Sequence, residues 1–265
     1  MEPEDFLQPN IAITAIQAET APLSEYLALS QNAPPGTQMI LWPEYAVPKD
    51  VRVSSDLAKI HAFAAQENCL MIFGTQTGLG GAKWQNTALT IDGSSVLGEH
   101  GKVHTVHFFD DGEHGPTAKA IETPLGKIGT PICFDCDFQD VVRHMVLDGA
   151  TFFAVPSMDA AHWSAKQHIQ HAQLFRLRAA ENRRDFAIAA SSGVSQMIHA
   201  NSATHQQLAA MQKGVLHGKL TARSSITFFT RWGWLTPWLA LLVSCMWTMR
   251  LMMRSSLAHR PAVSR

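Results

Sequence analysis

Cys133 has a residue type and a position that suit nucleophilic chemistry. It ends a predicted apolar strand over residues 127–132 and precedes a helix that Asp137 can cap. At such a strand-to-helix turn a thiol is exposed above the sheet, and the helix N-terminus lowers its pKa by stabilising the thiolate. The position predicts a reactive cysteine, and it is equally compatible with a buried structural one.

Two other side chains follow predicted strands and could act on a reacting group. Glu44 comes directly after Pro43, whose rigid ring presents a carboxylate that can serve as a general base. An isolated glutamate in a loop is, however, more commonly a solvated surface residue. Lys102 follows a predicted hairpin, and nothing in its immediate sequence distinguishes it from a solvated lysine.

The cysteines and histidines do not form a metal-binding pattern. Cys133 and Cys136 make a C-x-x-C pair, but no further zinc ligands at set spacing and no thioredoxin-like context accompany them. Two pairs among the 13 histidines are three residues apart, His104 with His107 and His168 with His171. Neither pair has a third ligand at helical spacing. The sequence therefore predicts no metal and no cofactor.

These candidate residues need a folded core to position them. The 265 residues are 46% apolar with a net charge of −1, which excludes general disorder, and four cysteines are too few for a disulfide scaffold. Apolar runs predict strands at 10–18, 38–42, 69–73, 86–92, 94–98, 127–132, 152–155 and 185–190. Helical spacing predicts helices at 54–67, 137–147 and 165–183, and the glycines at 78–81 predict a loop. We predict one α/β domain over residues 8–230.

An uncharged segment near the C-terminus predicts a membrane helix. The 18 residues between Arg231 and Arg250 carry no charge and would span about 27 Å as an α-helix, close to the hydrocarbon thickness of a bilayer. Three tryptophans lie near one end and Trp247 near the other, as in an aromatic belt. We predict one transmembrane helix over residues 231–250 and a basic tail over residues 251–265. A buried core helix is the alternative.

Charge is distributed unevenly along the chain. Residues 1–50 contain seven acids and one base, whereas residues 186–265 contain eight bases and no acid. Because the bases are sparse and flank the apolar segment, they favour a membrane surface, and we predict no binding to nucleic acid. The basic tail predicts a cytoplasmic C-terminus with the domain on the opposite side. The acidic N-terminus does not match a secretory signal. A tail anchor with a cytoplasmic domain and the end of a longer membrane protein both stay open.

Glu44, Lys102 and Cys133 lie in three motifs that follow one another along the chain: Trp42-Pro-Glu-Tyr-Ala-Val-Pro48, Gly101-Lys-Val-His104 and Gly129-Thr-Pro-Ile-Cys-Phe-Asp135. Three further segments accompany them: Asp111-Gly-Glu-His-Gly-Pro116, Arg178-Ala-Ala-Glu-Asn-Arg183 with Ser192-Gly193, and Leu216-His-Gly-Lys-Leu220. In this order the motifs resemble the carbon–nitrogen hydrolase (nitrilase) superfamily, and within it the apolipoprotein N-acyltransferases. The likeness extends over about residues 10–245.

The resemblance implies a fold and a reaction. The superfamily fold is an α-β-β-α sandwich. The thiolate of Cys133 would attack an acyl carbonyl, Glu44 would take up the proton and return it, and Lys102 would stabilise the oxyanion. Glu113 is the candidate for a second glutamate beside the lysine. The acyl group would then rest on Cys133 as a thioester.

The resemblance also implies partners and a location. The acyl donor would be a phospholipid or an amide, and the acceptor the N-terminal amine of a lipoprotein or, in the hydrolases, water. The protein would lie at the inner membrane, with the periplasmic side favoured by the resemblance. Asp135 departs from the acyltransferase pattern, which has glutamate there, whereas amidases often have aspartate. The alternatives are a small-molecule amidase and a catalytically inactive, membrane-attached binding module.

Overall fold

Two mixed β-sheets packed face to face form the centre of the protein. The structure, a computed structural model, describes residues 6–19, 21–107 and 109–258. Apolar side chains from both sheets meet in one buried cluster, which includes Ile13, Ile72, Phe152 and Ala187. Helices cover the outer face of each sheet, so the predicted α-β-β-α sandwich is confirmed.

The first sheet combines parallel and antiparallel pairing. Its strands are β1 (Phe6–Gln17), β2 (Met39–Leu41), β3 (Leu70–Gly80), β4 (Lys83–Ile91), β5 (Val96–Gly101) and β12 (Gly214–Arg223). In space they follow the order β12-β1-β2-β3-β4-β5. The strands β1, β2 and β3 run parallel, because the helices α1 (Leu23–Ser30) and α2 (Asp56–Glu67) connect them, whereas β4, β5 and β12 pair in the antiparallel sense.

The second sheet repeats this arrangement. Its strands are β6 (Ile121–Thr123), β7 (Gly126–Gly129), β8 (Phe152–Ser157), β9 (Phe186–Ala190), β10 (Gln196–Ile198) and β11 (Thr204–Gln207), in the order β11-β10-β9-β8-β7-β6. The central strands β7, β8 and β9 run parallel and are connected by α3 (Gln139–Leu147) and α4 (Ala165–Asn182). Parallel central strands end at one edge of a sheet, where loops carry the functional side chains of open α/β folds.

Each pair of helices packs its apolar face on one sheet. On the first sheet, Tyr26 of α1 and Ile60 of α2 join a buried cluster with Phe73. On the second, Val142 of α3 and Phe175 of α4 join another. Burying side chains of this size stabilises the fold by about 1.5–3 kcal/mol each.

The elements differ from the predicted ones at several places. Helix α1 has no counterpart among the predicted elements, because only Tyr26 and Ser30 are fully buried in it and the helical period is weak. The predicted loop at residues 78–81 is wrong, since β3 pairs with β4 as far as Gly80. The predicted capping by Asp137 is also wrong, because α3 begins at Gln139 and Phe138 precedes it. After β9 the chain forms three strands in succession instead of alternating with helices.

The C-terminal segment leaves the sandwich as an exposed helix. A short helix α5 (Phe228–Trp232) and a 3₁₀ turn (Gly233–Leu235) lead into α6 (Thr236–Ala258). Among the described residues, Phe228–Met253 is the one helical span long and apolar enough to cross a membrane, with mean hydropathy 1.3 and none of its apolar window buried. The predicted span 231–250 lies within it. Of the predicted tail, residues 259–265 lie outside the described residues.

Candidate active site

Glu44 lies three residues after β2, in a turn whose backbone packs closely against β3. Its side chain is 2% exposed. A Cβ on Gly74 of the neighbouring strand would lie 2.5 Å from the Cα of Glu44, so only glycine allows β3 to pass this closely. The amide of Gly74 donates to the carbonyl of Pro43 at 3.1 Å, which holds the turn that carries Glu44. The glutamate is therefore a fixed, buried group and not a solvated loop acid.

Lys102 follows β5 and is held inside the protein by two carboxylates. Its amide donates to the carbonyl of Asn86 at 2.8 Å, which places it opposite β4. Its Nζ lies 2.8 Å from Glu44 Oε1 and 2.8 Å from Asp111 Oδ2, and the side chain is 1% exposed. A buried lysine is tolerated only with such partners, so the surface interpretation of this lysine is excluded.

Cys133 begins a 3₁₀ helix, Cys133–Asp137, at the end of the segment that follows β7. Its φ of +45° is the left-handed conformation, which is strained for a residue with a Cβ and recurs at functional sites. The thiol lies 3.4 Å from the carbonyl oxygen of Met158, to which it donates. Glu44, Lys102 and Cys133 all line one cavity of about 610 Å³. Glu44 and Lys102, which precede Cys133 by 89 and 31 positions, thus share one pocket with it, as predicted.

Glu113 does not reach this cluster, and Asp111 takes the place that was predicted for it. The carboxylate of Glu113 pairs with Lys83 at 3.1 Å, and its side chain is 48% exposed. Gly112 lies between the two acids with a φ of +78°, and this turn sends their side chains to different sides of the loop. The prediction of Glu113 beside the lysine is therefore wrong. The acid that contacts Lys102 is two residues earlier.

An amide and a phenol connect the two acids. Asn86 Nδ2 lies 2.7 Å from Glu44 Oε1, 2.8 Å from Asp111 Oδ1 and 2.8 Å from Tyr45 Oη. The phenol of Tyr45 also donates to Asp111 Oδ1. These bonds fix both carboxylates around the ammonium of Lys102. The second oxygen of Glu44, Oε2, is buried and has no hydrogen-bond partner within the described part of the chain.

Asp135 fastens the loop after β5 to the turn that carries the cysteine. Its Oδ1 accepts from the amides of Val103 at 3.0 Å and His104 at 2.8 Å. Its Oδ2 accepts from the amide of Ile132 at 3.0 Å and lies 3.0 Å from Nε2 of His100. The carboxylate is fully buried and faces these donors. The aspartate at which the sequence departs from the acyltransferase pattern therefore has a positioning role.

Burial and the contacts with neighbouring charges shift the pKa values of the cluster in opposite directions. Burial, reinforced by the nearby charge of Asp111, raises the pKa of Glu44 although Lys102 partly opposes this. Burial disfavours the Lys102 cation, but the charges of Glu44, Cys133 and Asp111 outweigh it and raise its pKa. For Asp111 burial is likewise outweighed, by Lys102, and its pKa is lowered. The site thus holds a charged lysine beside a glutamate that takes up a proton more readily than usual.

Cys133 does not have the lowered pKa that its helical position predicts. Burial, and next the charge of Glu44, raise the pKa of its thiol, and the ring of His171 and the ammonium of Lys102 oppose them only in part. The helix that follows is a short 3₁₀ turn, whose dipole is too small to outweigh burial. The thiol therefore needs a base at the moment of attack. Cys136, by contrast, is buried within the apolar cluster under α3 and α4.

His171 and Asp159 are two further polar residues close to the thiol. Nδ1 of His171 lies 2.7 Å from Asp159 Oδ1, and Nε2 lies 3.4 Å from Asp137 Oδ1. A ring nitrogen of His171, a carboxylate oxygen of Asp159 and Sγ of Cys133 all lie within 4.8 Å of one another, close enough for one cation to contact all three. His168 contacts the other oxygen of Asp159 at 3.1 Å.

The sequence comparisons agree with this geometry. Residues 8–218 match the sequence model of the carbon-nitrogen hydrolase family. The chain belongs to this family. Among its relatives, the apolipoprotein N-acyltransferase of Geobacter metallireducens is 24% identical over 276 residues, covering 93% of this chain and 52% of that protein. The apolipoprotein N-acyltransferase of Synechocystis sp. is 27% identical over 237 residues, covering 79% and 44%. The chain thus spans about half the length of the curated relatives it matches.

Solved structures of carbon-nitrogen hydrolases share the fold. An amidase from Nesterenkonia sp. superposes with a TM-score of 0.68 at 19% identity, covering 83% of this chain and 93% of the amidase. Saccharomyces cerevisiae Nit3, of branch 10 of the nitrilase superfamily, has a TM-score of 0.71 at 18% identity, covering 81% and 91%. A variant of the Nesterenkonia amidase, at a TM-score of 0.66, 19% identity and coverage of 82% and 92%, shows covalent addition of an acetamide moiety at its active-site cysteine.

Sequence reasoning about this carbon-nitrogen hydrolase missed two acids and one histidine. Asp111 was hidden because the glutamate of the Gly-Glu pair matched the family motif more closely. Asp159 and His171 gave no local signal, since an aspartate after a buried strand and a histidine on a helix are both common. The one usable sign was the spacing of His168 and His171, which puts both on one face of α4.

Proposed function

We propose that the protein is a membrane-associated thiol acyltransferase or hydrolase that forms an acyl thioester on Cys133. The observation that carries this proposal is Glu44 Oε2, a buried carboxylate oxygen without a partner among the described residues, in the cavity that also holds the thiol. An oxygen with a free lone pair next to a protonated thiol is what a general base requires. The intact cluster also argues against an inactive binding module.

Each member of the cluster has one task in this proposal. The proton of the Cys133 thiol moves to Glu44 as Sγ attacks the acyl carbonyl. The negative oxygen that develops is stabilised by the ammonium of Lys102, a contribution of about 3 kcal/mol for one well-placed donor. When the tetrahedral intermediate collapses, Glu44 returns the proton to the leaving group and the acyl group remains on sulfur. Glu44 then removes a proton from the second nucleophile, which attacks the thioester. As the carbon–sulfur bond breaks, Glu44 gives this proton to the sulfur, and the thiol of Cys133 is restored.

The cavity favours an acyl donor with an apolar chain. Away from the charged cluster its lining is mainly apolar and aromatic, and includes Val106, Phe109, Phe134, Trp163 and Leu174. A phospholipid acyl chain matches such a surface, and the apolipoprotein N-acyltransferases among the relatives support a lipoprotein N-terminal amine as the acceptor. With water as the second nucleophile the same residues would hydrolyse an amide, and the amidase structures and Asp135 support that alternative.

Trapping of the intermediate tests the proposal. We expect incubation of the full chain in detergent with a phospholipid to add the mass of one acyl group. Peptide mapping should place it on Cys133, and hydroxylamine, which cleaves thioesters, should remove it. A matched incubation with short-chain amides distinguishes the amidase, because only that enzyme would be acylated by them and release the free acid. A stable adduct on Cys136, or no adduct from either donor, would contradict the proposal.

We further infer that α6 anchors the domain in the inner membrane, with the catalytic domain on the periplasmic side. Large apolar residues of the helix are 50% or more exposed, among them Leu239, Leu241, Val243, Met246 and Trp247. If the helix belonged to the core of the domain, packing would have to cover these side chains. A bilayer removes this apolar surface from water. The preceding α5 belongs to the domain, because Thr230 is buried and donates to Asn182 Oδ1 at 2.9 Å.

Truncation at the boundary between α5 and α6 tests the anchor. We expect a chain that ends after Leu235 to move from the membrane fraction to the soluble fraction. The circular dichroism of the remaining sandwich and its melting temperature should not change. A chain that lacks only residues 259–265 should stay in the membrane fraction and serves as the control. Loss of folding on the longer truncation would show that α6 is part of the core.

A further inference from the structure

The thiolate of Cys133 needs more positive charge nearby than Lys102 alone provides. In the proposed reaction the thiol becomes a thiolate next to Glu44, whose charge opposes its ionisation. The ammonium of Lys102 is already in contact with two carboxylates, each at 2.8 Å, so most of its charge is balanced. A thiolate buried in this cavity, with 5% exposure, would need a further cation.

His171 is the group that can supply this charge. It lies on α4, is 7% exposed and lines the same cavity as the thiol. Nδ1 of the ring donates to Asp159 Oδ1 at 2.7 Å, and Nε2 lies 3.4 Å from Asp137 Oδ1, within ion-pair distance. A ring with a carboxylate at each nitrogen is stabilised in its doubly protonated, cationic form. His168, Asp159, Asp137 and Cys133 are the titratable groups around it. Burial lowers the pKa of His171, but the negative charge of the Cys133 thiolate, followed by Asp137 and Asp159, outweighs burial and raises this pKa well above its ordinary value.

We propose that His171, held by Asp159 and Asp137, is the cation that stabilises the thiolate of Cys133, while Glu44 alone moves the proton. This role rests on Cys133 being the nucleophile of the proposed function. In this cationic form both ring nitrogens of His171 carry protons, so the ring cannot also accept the proton of the thiol. Proton transfer and charge stabilisation are therefore divided between two residues, Glu44 after a strand of the first sheet and His171 on the helix α4 that covers the second.

The position of Asp159 is enforced by the loop after β9. A Cβ on Gly193 would lie 2.4 Å from Asp159 Oδ2, so glycine there leaves room for the carboxylate that orients the ring. The Ser192-Gly193 segment of the sequence motif thereby gains a structural reason. His171 is a positioning and electrostatic residue in this proposal, and the reacting atom it acts on is Sγ of Cys133.

Alkylation of the thiol by iodoacetamide tests the proposal without any acyl substrate. The modified fraction of Cys133 is followed by peptide mass spectrometry across a pH series in the full chain. We expect His171→Gln to move the midpoint of this profile upward by about one pH unit or more, since an opposite charge within a few ångströms shifts a pKa by that amount. His171→Lys, which keeps a positive charge, should restore at least half of the shift. His144→Gln, on the neighbouring helix α3, is the control and should leave the midpoint unchanged.

Two results would overturn the proposal. One is an equal midpoint in the original chain and in His171→Gln. The other is a neutral His171 ring at pH 7, which side-chain NMR of the original chain detects even if the variant does not fold. Failure of the proposed function is distinguishable, because a chain that transfers no acyl group would still show the dependence of the thiol on His171.

Discussion

Cys133→Ala is expected to reduce acyl transfer and amide hydrolysis to background, a fall on the order of 10⁶-fold, as when the nucleophile of a cooperating set of residues is removed. The structure gives the reason: the thiol is the nucleophile in a cavity whose other groups are arranged to deprotonate it and to stabilise the oxyanion. Without sulfur, the remaining residues can only polarise a bound carbonyl. The measurement is turnover with the donor that acylates the unaltered chain.

Cys136→Ala is the matched control for this prediction. It lies three residues further along the same turn but faces the apolar cluster that contains Val142 and Phe175. Its loss removes a buried sulfur and no group of the cavity, so turnover should persist. Equal loss of turnover in both variants, with both folded by circular dichroism, would indicate that the turn and not the thiol is required.

Glu44→Gln is expected to lower turnover by about 10²- to 10⁴-fold, the usual contribution of a positioned general base. Glutamine keeps the shape of the side chain but cannot accept the proton of the thiol. Since burial raises the pKa of Glu44, activity of the unaltered protein should be lost as the pH falls through this raised value, because the protonated carboxyl is no longer a base. This loss at low pH is the acid limb of the pH–rate profile, and the profile of Glu44→Gln should lack it.

Glu113→Gln provides the comparison for Glu44→Gln. Both replacements remove one carboxylate, but Glu113 pairs with Lys83 at the surface, where such a pair contributes about 0–1 kcal/mol to stability. We expect its turnover and its pH profile to match those of the unaltered protein. A pH–rate profile in which Glu113→Gln loses the acid limb, and Glu44→Gln keeps it, would reverse the assignment.

The comparison of Cys133 with Cys136 also shows what the local sequence could predict about the site. The two cysteines are three residues apart, and the strand-to-turn pattern singled out the first of them correctly as the one that faces a pocket. The pattern was informative because the segment that follows a buried strand is presented at the edge of a sheet, and Cys133 lies four residues after β7. It did not predict the electrostatics, since the extent of burial and the nearness of Glu44 depend on chain segments far from the cysteine.

The sequence by itself determined an α/β domain and the apolar C-terminal helix, because periodic apolar residues and a long uncharged run are local features of the chain. The sandwich and the choice of Glu44, Lys102 and Cys133 as candidates came from the order of their motifs along the chain and from the family that this order resembles, since no single motif distinguished its residue from a structural or solvated one.

Only the tertiary structure decided which acid of the 111–113 segment contacts Lys102 and which histidine lies beside the thiol of Cys133. Asp111 and Glu113 both carry a carboxylate and lie two residues apart, and a single turn at Gly112 directs one inward and the other to the surface. His171 meets Cys133 through the packing of α4 against the turn after β7, 38 positions away in sequence. The raised pKa of the thiol likewise depends on its burial and on the charge of Glu44, 89 positions away in the chain. These properties arise from distances between segments that are remote in the chain, and such distances exist only once the two sheets have packed.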